Sequence, residues 1–311
     1  MSWVLVLKVD APTREAWWQT ELARRVPDIE VRIWPDTGPL DAVDGALVWY
    51  PPPGDLARYP NLQAIFSIGA GVDHIINDPD LPALPLTRMV DTNLTERMRE
   101  YVVLHVLRYH RRQPDYDALQ QARRWEELDQ PHASGRRVGI LGLGELGTSS
   151  ANALALLGFD VAGWSRRPKS LDGVATFHGA DGLVPFLSRT EILVCLLPLT
   201  AATSGLIDAA FLARLPAGAA LINAARGDHV VDPDLLAALD RGHITGATLD
   251  VFSEEPLPAD HAYWRHPKVT VTPHISAITD PVSSADQVAE NIHRLRAGEP
   301  LINLVDLNQG Y

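Results

Sequence analysis

Apolar positions along the chain come in short unbroken runs, and amphipathic stretches separate one run from the next. Residues 3–9, Trp3-Val4-Leu5-Val6-Leu7-Lys8-Val9, are almost wholly apolar over a strand's length and predict a buried strand. Thr13-Arg14-Glu15-Ala16-Trp17-Trp18 then opens a helix with a Thr cap and an acidic first turn. Strands are also predicted at 30–34, at 46–50 before Pro51-Pro52-Pro53-Gly54, and at 62–68 leading into Gly69-Ala70-Gly71. Strands alternating with helices predict an α/β fold, a parallel sheet with helices on its faces.

From Thr95 the period changes. Met98, Tyr101, Val102, His105, Val106 and Tyr109 recur at helical spacing, and the helix they predict ends in Arg111-Arg112. A second helix is predicted over 116–128. Residues 136–141 then start a new βα series, with strands expected at 161–164, 192–197, 219–223, 246–251 and 268–271. That makes about six strands, the number in a full dinucleotide-binding sheet. A last helix is predicted over 286–296. A chain of 311 residues fits two domains at roughly 100–200 residues each. The long helix near residue 100 is the expected bridge.

Hydrophobic residues at 46% and charged residues at 21% are ordinary for a globular protein and exclude disordered or collagen-like chains. Lys+Arg 27 against Asp+Glu 39 gives −12. Such a charge repels phosphate backbones and anionic lipid, so neither nucleic acid nor membrane is expected as a partner. A small anionic substrate stays compatible, because a few Arg residues can reverse the field locally. The single cysteine, Cys195, excludes an intrachain disulfide and a thiolate zinc cage. No His-x-x-x-His pair suggests a metal. The N-terminal run reads as a strand rather than a signal segment, and no run reaches the 18 or so apolar residues of a membrane span. A soluble, cytoplasmic protein is expected.

Gly142-Leu143-Gly144-Glu145-Leu146-Gly147 is G-x-G-x-x-G, with an expected strand before it and a helix over 148–157 after it. Gly142 permits the tight turn, Gly144 lets backbone approach a pyrophosphate, and Gly147 lets the helix lie close to the strand. The backbone around Glu145 and Leu146 would then offer N–H groups and a positive dipole to the phosphates. NAD sites usually carry Asp or Glu about 20 residues on, for the ribose 2′-OH. Here the strand at 161–164 ends in Ser165-Arg166-Arg167-Pro168-Lys169, and Asp160 stands at its opposite end. A hydroxyl and two guanidiniums suit a 2′-phosphate dianion, so NADPH is the preferred cofactor and NADH the alternative. A solvated basic turn is the plainer reading of the same residues.

Three later segments each follow an apolar strand: 223–227 with Arg226, 249–257 with Asp250 and Glu255, and 271–276 with His274. Ligands of open α/β sheets bind beyond the strands' carboxyl ends. An Arg that grips a carboxylate, a His that protonates a carbonyl oxygen, and a carboxylate that favours the charged imidazole would together serve reduction of a 2-keto acid. Here the sequence resembles the D-isomer-specific 2-hydroxyacid dehydrogenases over the whole chain, and among them the NADPH-using glyoxylate/hydroxypyruvate reductases. The matching stretches are Ala46-Leu47-Val48-Trp49, Gly69-Ala70-Gly71-Val72-Asp73, Cys195-Leu196-Leu197-Pro198, Ala225-Arg226-Gly227, Asp250-Val251-Phe252, Leu235-Leu236-Ala237-Ala238-Leu239-Asp240 and Thr272-Pro273-His274.

The resemblance implies two doubly wound, Rossmann-like lobes around a cleft. Residues 1–98 and 276–311 would form a flavodoxin-like substrate domain, and 99–275 the dinucleotide-binding domain, through which the family commonly dimerises. It implies that Arg226 binds and polarises a small 2-keto acid, that His274 donates the proton, and that Glu255 orients His274. Asp250 would hold the nicotinamide carboxamide and Met98 would pack on that ring, with Leu197, Pro198, Thr203 and Ala224 lining the cofactor cleft. Backbone N–H groups of Gly69, Ala70 and Gly71 would receive the substrate carboxylate, with Trp49 walling the pocket. His229, His243, His266 and His293 match no catalytic role and are expected at the surface or behind the site. Arg88 has no assigned part. Another small keto acid, or a non-catalytic NAD(P)-sensing protein, are the alternatives; a methyltransferase leaves Ser165-Arg166-Arg167 without a purpose.

Overall fold

A computed structural model describes residues 3–9 and 12–307, except for the side chains of Pro12, Thr13 and Pro281, so the cap expected at Thr13 lies outside it. The chain opens with β1 (Trp3–Lys8), α1 (Pro12–Arg25), β2 (Ile29–Ile33), β3 (Gly45–Val48), β4 (Ala64–Ser67), α2 (Asp73–Ile76) and β5 (Leu86–Thr87). Two helices follow, α3 (Thr92–His110) and α4 (Gln113–Gln121). The second βα series is β6 (Arg137–Leu141), α5 (Glu145–Leu156), β7 (Asp160–Ser165), β8 (Ala175–His178), α6 (Gly179–Arg189) and β9 (Ile192–Cys195). It continues through α7 (Ala209–Leu212), β10 (Ala219–Asn223), α8 (Asp232–Asp240), β11 (Ile244–Leu249) and β12 (Val269–Val271), and α9 (Pro281–Ala297) comes last.

Two compact units result: Met1–Leu94 with Thr279–Tyr311, and Thr95–Ile278. In the first, five parallel strands run in the order β2-β1-β3-β4-β5. That is the doubly wound 2-1-3-4-5 order of flavodoxin-like sheets. Alternate residues bury on opposite faces. Leu5, Leu7, Leu47 and Phe66 join one cluster, and Val4, Val6, Ala46, Val48 and Ile65 the other. The first cluster is completed by Trp18, Leu22 and Val26 near and along α1 and by Ala285, Val288, Ala289 and Ile292 of α9.

The second unit holds seven parallel strands in the order β12-β11-β10-β9-β6-β7-β8. Six strands were expected here, and the seventh is β8, an edge strand whose residues are only partly covered or exposed. Both faces are again buried. Leu141, Leu193, Cys195 and Leu221 face one cluster, while Val138, Ile140, Ile192, Val194 and Ile222 face the other. The helix expected over 116–128 is also corrected, because α4 stops at Gln121. Arg123 takes a left-handed φ of +54, and its N–H and that of Arg124 close on the Gln120 and Leu119 carbonyls at 3.0 and 2.9 Å. This is a Schellman ending.

Candidate active site

In the second unit the sheet order reverses between β6 and β9. Open α/β sheets bind ligands at that switch, beyond the carboxyl ends of the strands. The turn after β6 needs glycine. Gly142 has φ +108, and a Cβ there would lie 2.7 Å from the Leu196 carbonyl oxygen. A Cβ on Gly147 would lie 1.8 Å from the Gly142 oxygen, so α5 rests directly on the turn. Nothing lies within 4 Å of a Cβ on Gly144, which opens space at the N-terminus of α5. Glu145 and Leu146 form the first turn there, where amide N–H groups favour a phosphate. A tight turn, a close helix and an open face are what a dinucleotide needs. The residues fit the cofactor.

At the end of β7, Ser165 is buried and its hydroxyl donates to the Arg167 carbonyl at 2.7 Å. Ser165 therefore shapes the turn, and exposed Arg166 and Arg167 carry its charge outward. The Lys169 ammonium donates to the Leu143 carbonyl, tying this turn to the glycine-rich one. Beyond β9, the Thr203 hydroxyl donates to the Pro198 carbonyl at 2.8 Å and accepts the Thr200 N–H at 2.9 Å, which fixes the loop that begins at Leu197. Met98, Leu143 and Ala224 are buried in one cluster.

Arg226, Glu255 and His274 follow β10, β11 and β12 respectively. The loops of the first two meet at Gly227. A Cβ there would lie 1.9 Å from the Phe252 carbonyl carbon and 2.1 Å from the Ser253 nitrogen. Glu255 accepts the Phe252 N–H on Oε1 at 2.9 Å and contacts His274 Nδ1 through Oε2 at 2.7 Å. Burial pushes the Glu255 carboxyl up, but the His274 hydrogen bond and charge, the Phe252 N–H and the Arg226 charge outweigh it. The carboxyl is thereby held below its ordinary value. It stays ionised and fixes the imidazole by Nδ1, which assigns proton exchange with a ligand to Nε2. Arg226 is half-buried, and Asn223 Nδ2 donates to its carbonyl at 2.8 Å. Asp250 is fully buried beneath the 272–276 turn.

In the first unit the switch falls between β1 and β3. Trp49 follows β3 and residues 69–71 follow β4. A Cβ on Gly69 would lie 2.1 Å from the Trp49 ring, so the expected wall and the expected loop touch. Gly69 donates its N–H to Ser67 Oγ at 3.2 Å and accepts from the Met89 N–H at 2.9 Å. The N–H groups of Ala70 and Gly71 donate to nothing among the described residues. Two of the three expected carboxylate donors are thus open. Trp49 also meets the rings of Tyr50 at 5.1 Å and His74 at 4.5 Å. The Arg88 backbone is held by the Asn303 carbonyl at 3.0 Å and by Gln287 Nε2 at 2.8 Å.

The model of the D-isomer specific 2-hydroxyacid dehydrogenase NAD binding domain matches residues 103–276. The chain belongs to this family. It is 46% identical over 300 residues to the glyoxylate/hydroxypyruvate reductase A of Serratia proteamaculans, covering 94% of this chain and 96% of that one. Among solved structures, a D-isomer specific 2-hydroxyacid dehydrogenase from Xanthobacter autotrophicus Py2 in complex with NADPH and MES superposes with a TM-score of 0.94 at 45% identity over all of both chains. The NADPH-dependent glyoxylate/hydroxypyruvate reductase of Sinorhizobium meliloti in complex with NADP and sulfate gives 0.93 at 41%, again over all of both.

In this member of the D-2-hydroxyacid dehydrogenase family, His229 takes the second of the two places expected for it, behind the site. It is fully buried, with Nδ1 3.1 Å from the Arg226 carbonyl and Nε2 3.3 Å from the Pro198 carbonyl. It links the Arg226 loop to the loop after β9. No local signal chooses between the two places, because polar type alone argues for exposure. His243 and His266 are half-buried, and His293 is exposed. Among the described residues no helix is long and apolar enough to cross a membrane, and no cluster of three His, Cys, Asp or Glu could hold a metal.

Proposed function

We propose that this chain reduces small 2-keto acids with NADPH, glyoxylate to glycolate and hydroxypyruvate to glycerate. The observation that carries the reading is the 2.7 Å His274–Glu255 pair, joined through Gly227 to the Arg226 loop beyond a dinucleotide-binding sheet. Bound NADPH would supply the hydride. Arg226 holds the substrate carboxylate and polarises the carbonyl through its N–H fork. In the first unit, the Ala70 and Gly71 amides beside Trp49 offer donors suited to a small carboxylate. His274 delivers a proton from Nε2 to the carbonyl oxygen, completing the hydroxyl group, and Glu255 stabilises the imidazolium before transfer. Gly142, Gly144, Gly147, Glu145 and Leu146 cradle the pyrophosphate, while Arg166 and Arg167 take the 2′-phosphate on the turn that Ser165 shapes. Leu197, Pro198, Thr203, Ala224, Asp250 and Met98 line the nicotinamide end.

The names of the relatives support the substrate class, and the NADPH and NADP complexes of the solved neighbours support the cofactor. The reading includes a homodimer through the second unit, where Trp125 is fully exposed and Leu104 is 60% exposed. It also includes a cytoplasmic location; the single cysteine, Cys195, is buried and its thiol is pushed up to about 12 by burial, which suits a structural rather than a reactive cysteine.

The test is a panel of 2-keto acids with NADPH and NADH, with light scattering to read the mass. NADPH should lead in kcat/KM by about ten-fold or more, about 1.4 kcal/mol. His274→Ala should lose about 10²–10⁴-fold in kcat. Equal efficiency with NADH would refute the cofactor choice, and a fully active His274→Ala would refute the proton donor. A monomeric mass would refute the dimer.

A further inference from the structure

His274 has a φ of +52, a left-handed conformation that a β-carbon makes unfavourable, so something must hold it. Its N–H is shared between the Asp250 carbonyl at 2.8 Å and the Thr272 carbonyl at 3.1 Å. The Asp250 carboxylate takes the next two N–H groups, Ile275 on Oδ1 at 2.9 Å and Ser276 on Oδ2 at 2.8 Å. It also receives the Thr272 hydroxyl on Oδ1 at 2.6 Å. One carboxylate thus gathers the whole turn around the histidine.

The direction of the next hydrogen bond follows. The Thr272 hydroxyl has one proton, and Asp250 Oδ1 accepts it. Tyr101 Oη lies 2.7 Å from Thr272 Oγ1, and Tyr101 must therefore be the donor. Tyr101 is 8% exposed on α3, its ring 4.3 Å from that of His105. Burial and the Asp250 charge raise the phenol above its ordinary value, and so it remains a donor across the working range. The charged and titratable groups around this relay include Asp250, His105, Arg108 and Tyr109; those around His274 include Glu255 and, acting on it, Arg226.

We infer that Tyr101 and Thr272 are positioning residues for the proton transfer. The relay Tyr101 to Thr272 to Asp250 sets the 272–276 turn and with it the alignment of His274 on Glu255. A hydroxyl on α3, 171 residues before Thr272 in the chain, thereby acts on the proton donor. Without the relay the turn relaxes, and His274 meets Glu255 less often at 2.7 Å.

The inference rests on His274 as proton donor, and the experiment separates the two. Thr272→Val removes both hydroxyl bonds at nearly constant volume, Thr272→Ser restores them, and Tyr101→Phe removes only the outer one. In the glyoxylate assay with NADPH, Thr272→Val should lose about 10- to 100-fold in kcat, with NADPH affinity within about two-fold of wild type. Its alkaline fall in kcat/KM should move to lower pH, and Thr272→Ser should return both properties to near wild type. Tyr101→Phe should shift the same limb by a smaller amount, and decides the matter if Thr272→Val does not fold. A mere packing role lowers the melting temperature and leaves the pH limb in place, which overturns the inference. So does a loss that Thr272→Ser does not restore. A fully active His274→Ala overturns the underlying reading instead.

Discussion

A single missing β-carbon brings the Arg226 and Glu255 loops together. Gly227 has the Phe252 carbonyl carbon and the Ser253 nitrogen where a side chain would stand, at 1.9 and 2.1 Å. Both are backbone atoms, so no side-chain rotation relieves the clash. Gly227→Ala should separate the two loops, lowering kcat/KM for glyoxylate by about 10²-fold and destabilising the fold by about 1–3 kcal/mol. Steady-state kinetics and thermal melts check it, and wild-type values in both would show that the loops do not depend on this approach. The residues proposed to carry the chemistry stand out in the sequence because their types are chemical: Arg226, Glu255 and His274 announce what they can do. The residues that bring them together do not. Gly227 stands in the matching stretch Ala225-Arg226-Gly227, but nothing in the sequence says that it meets Phe252 and Ser253, and Thr272 meets Tyr101 only through folding, 171 positions apart. His229 was expected at the surface or behind the site, and tertiary packing alone decides for the second, between two carbonyls.

At the scale of elements, the buried strands were legible wherever both faces of a sheet are covered, because burial on two sides writes a continuous apolar run. β1, β9 and β10 lie almost wholly inside and coincide with such runs. β8 at the sheet's edge is only partly covered and writes no run. α4 stops at Gln121 because residues 122–127 are exposed on all sides, and a helix with no face to bury gains little from lengthening. In the proposed reading, the element that decides the cofactor is the turn after β7. Ser165 bends it, and Arg166 and Arg167 on it are exposed, away from the buried clusters. Arg166→Asp combined with Arg167→Ala should therefore leave the melting temperature near wild type and move the kcat/KM ratio toward NADH by about ten-fold or more, about 1.4 kcal/mol. Unchanged NADPH efficiency would show that the 2′-phosphate is gripped elsewhere.

The whole molecule, at −12, meets acid through a few groups whose protonation differs between folded and unfolded chain. His105 is 6% exposed beneath the Tyr101 ring. Burial and the Arg108 charge lower its pKa to about 4, against a smaller opposing effect of Asp250. Above the ordinary value of 6.5 the imidazole is neutral in both states and the fold keeps its full stability. As pH falls below that value the unfolded chain takes the proton first, so stability declines until about pH 4, by at most about 3 kcal/mol. His110, lowered by burial and by Arg136 and Arg111, adds in the same direction. Glu21, Asp28 and Glu255 act lower down. Their folded values are depressed, so their contribution is present above the ordinary carboxylate range and is lost as pH falls through the folded values. The histidine window therefore opens first. Urea unfolding at pH 7.5 and pH 5 should show wild type losing more stability between the two than His105→Gln, whose side chain does not titrate. The comparison cancels every group the two proteins share and leaves the His105 contribution alone. Equal losses in both would mean that His105 takes its proton in the fold as readily as in the unfolded chain, and that the acid sensitivity of the second unit lies in its carboxylates.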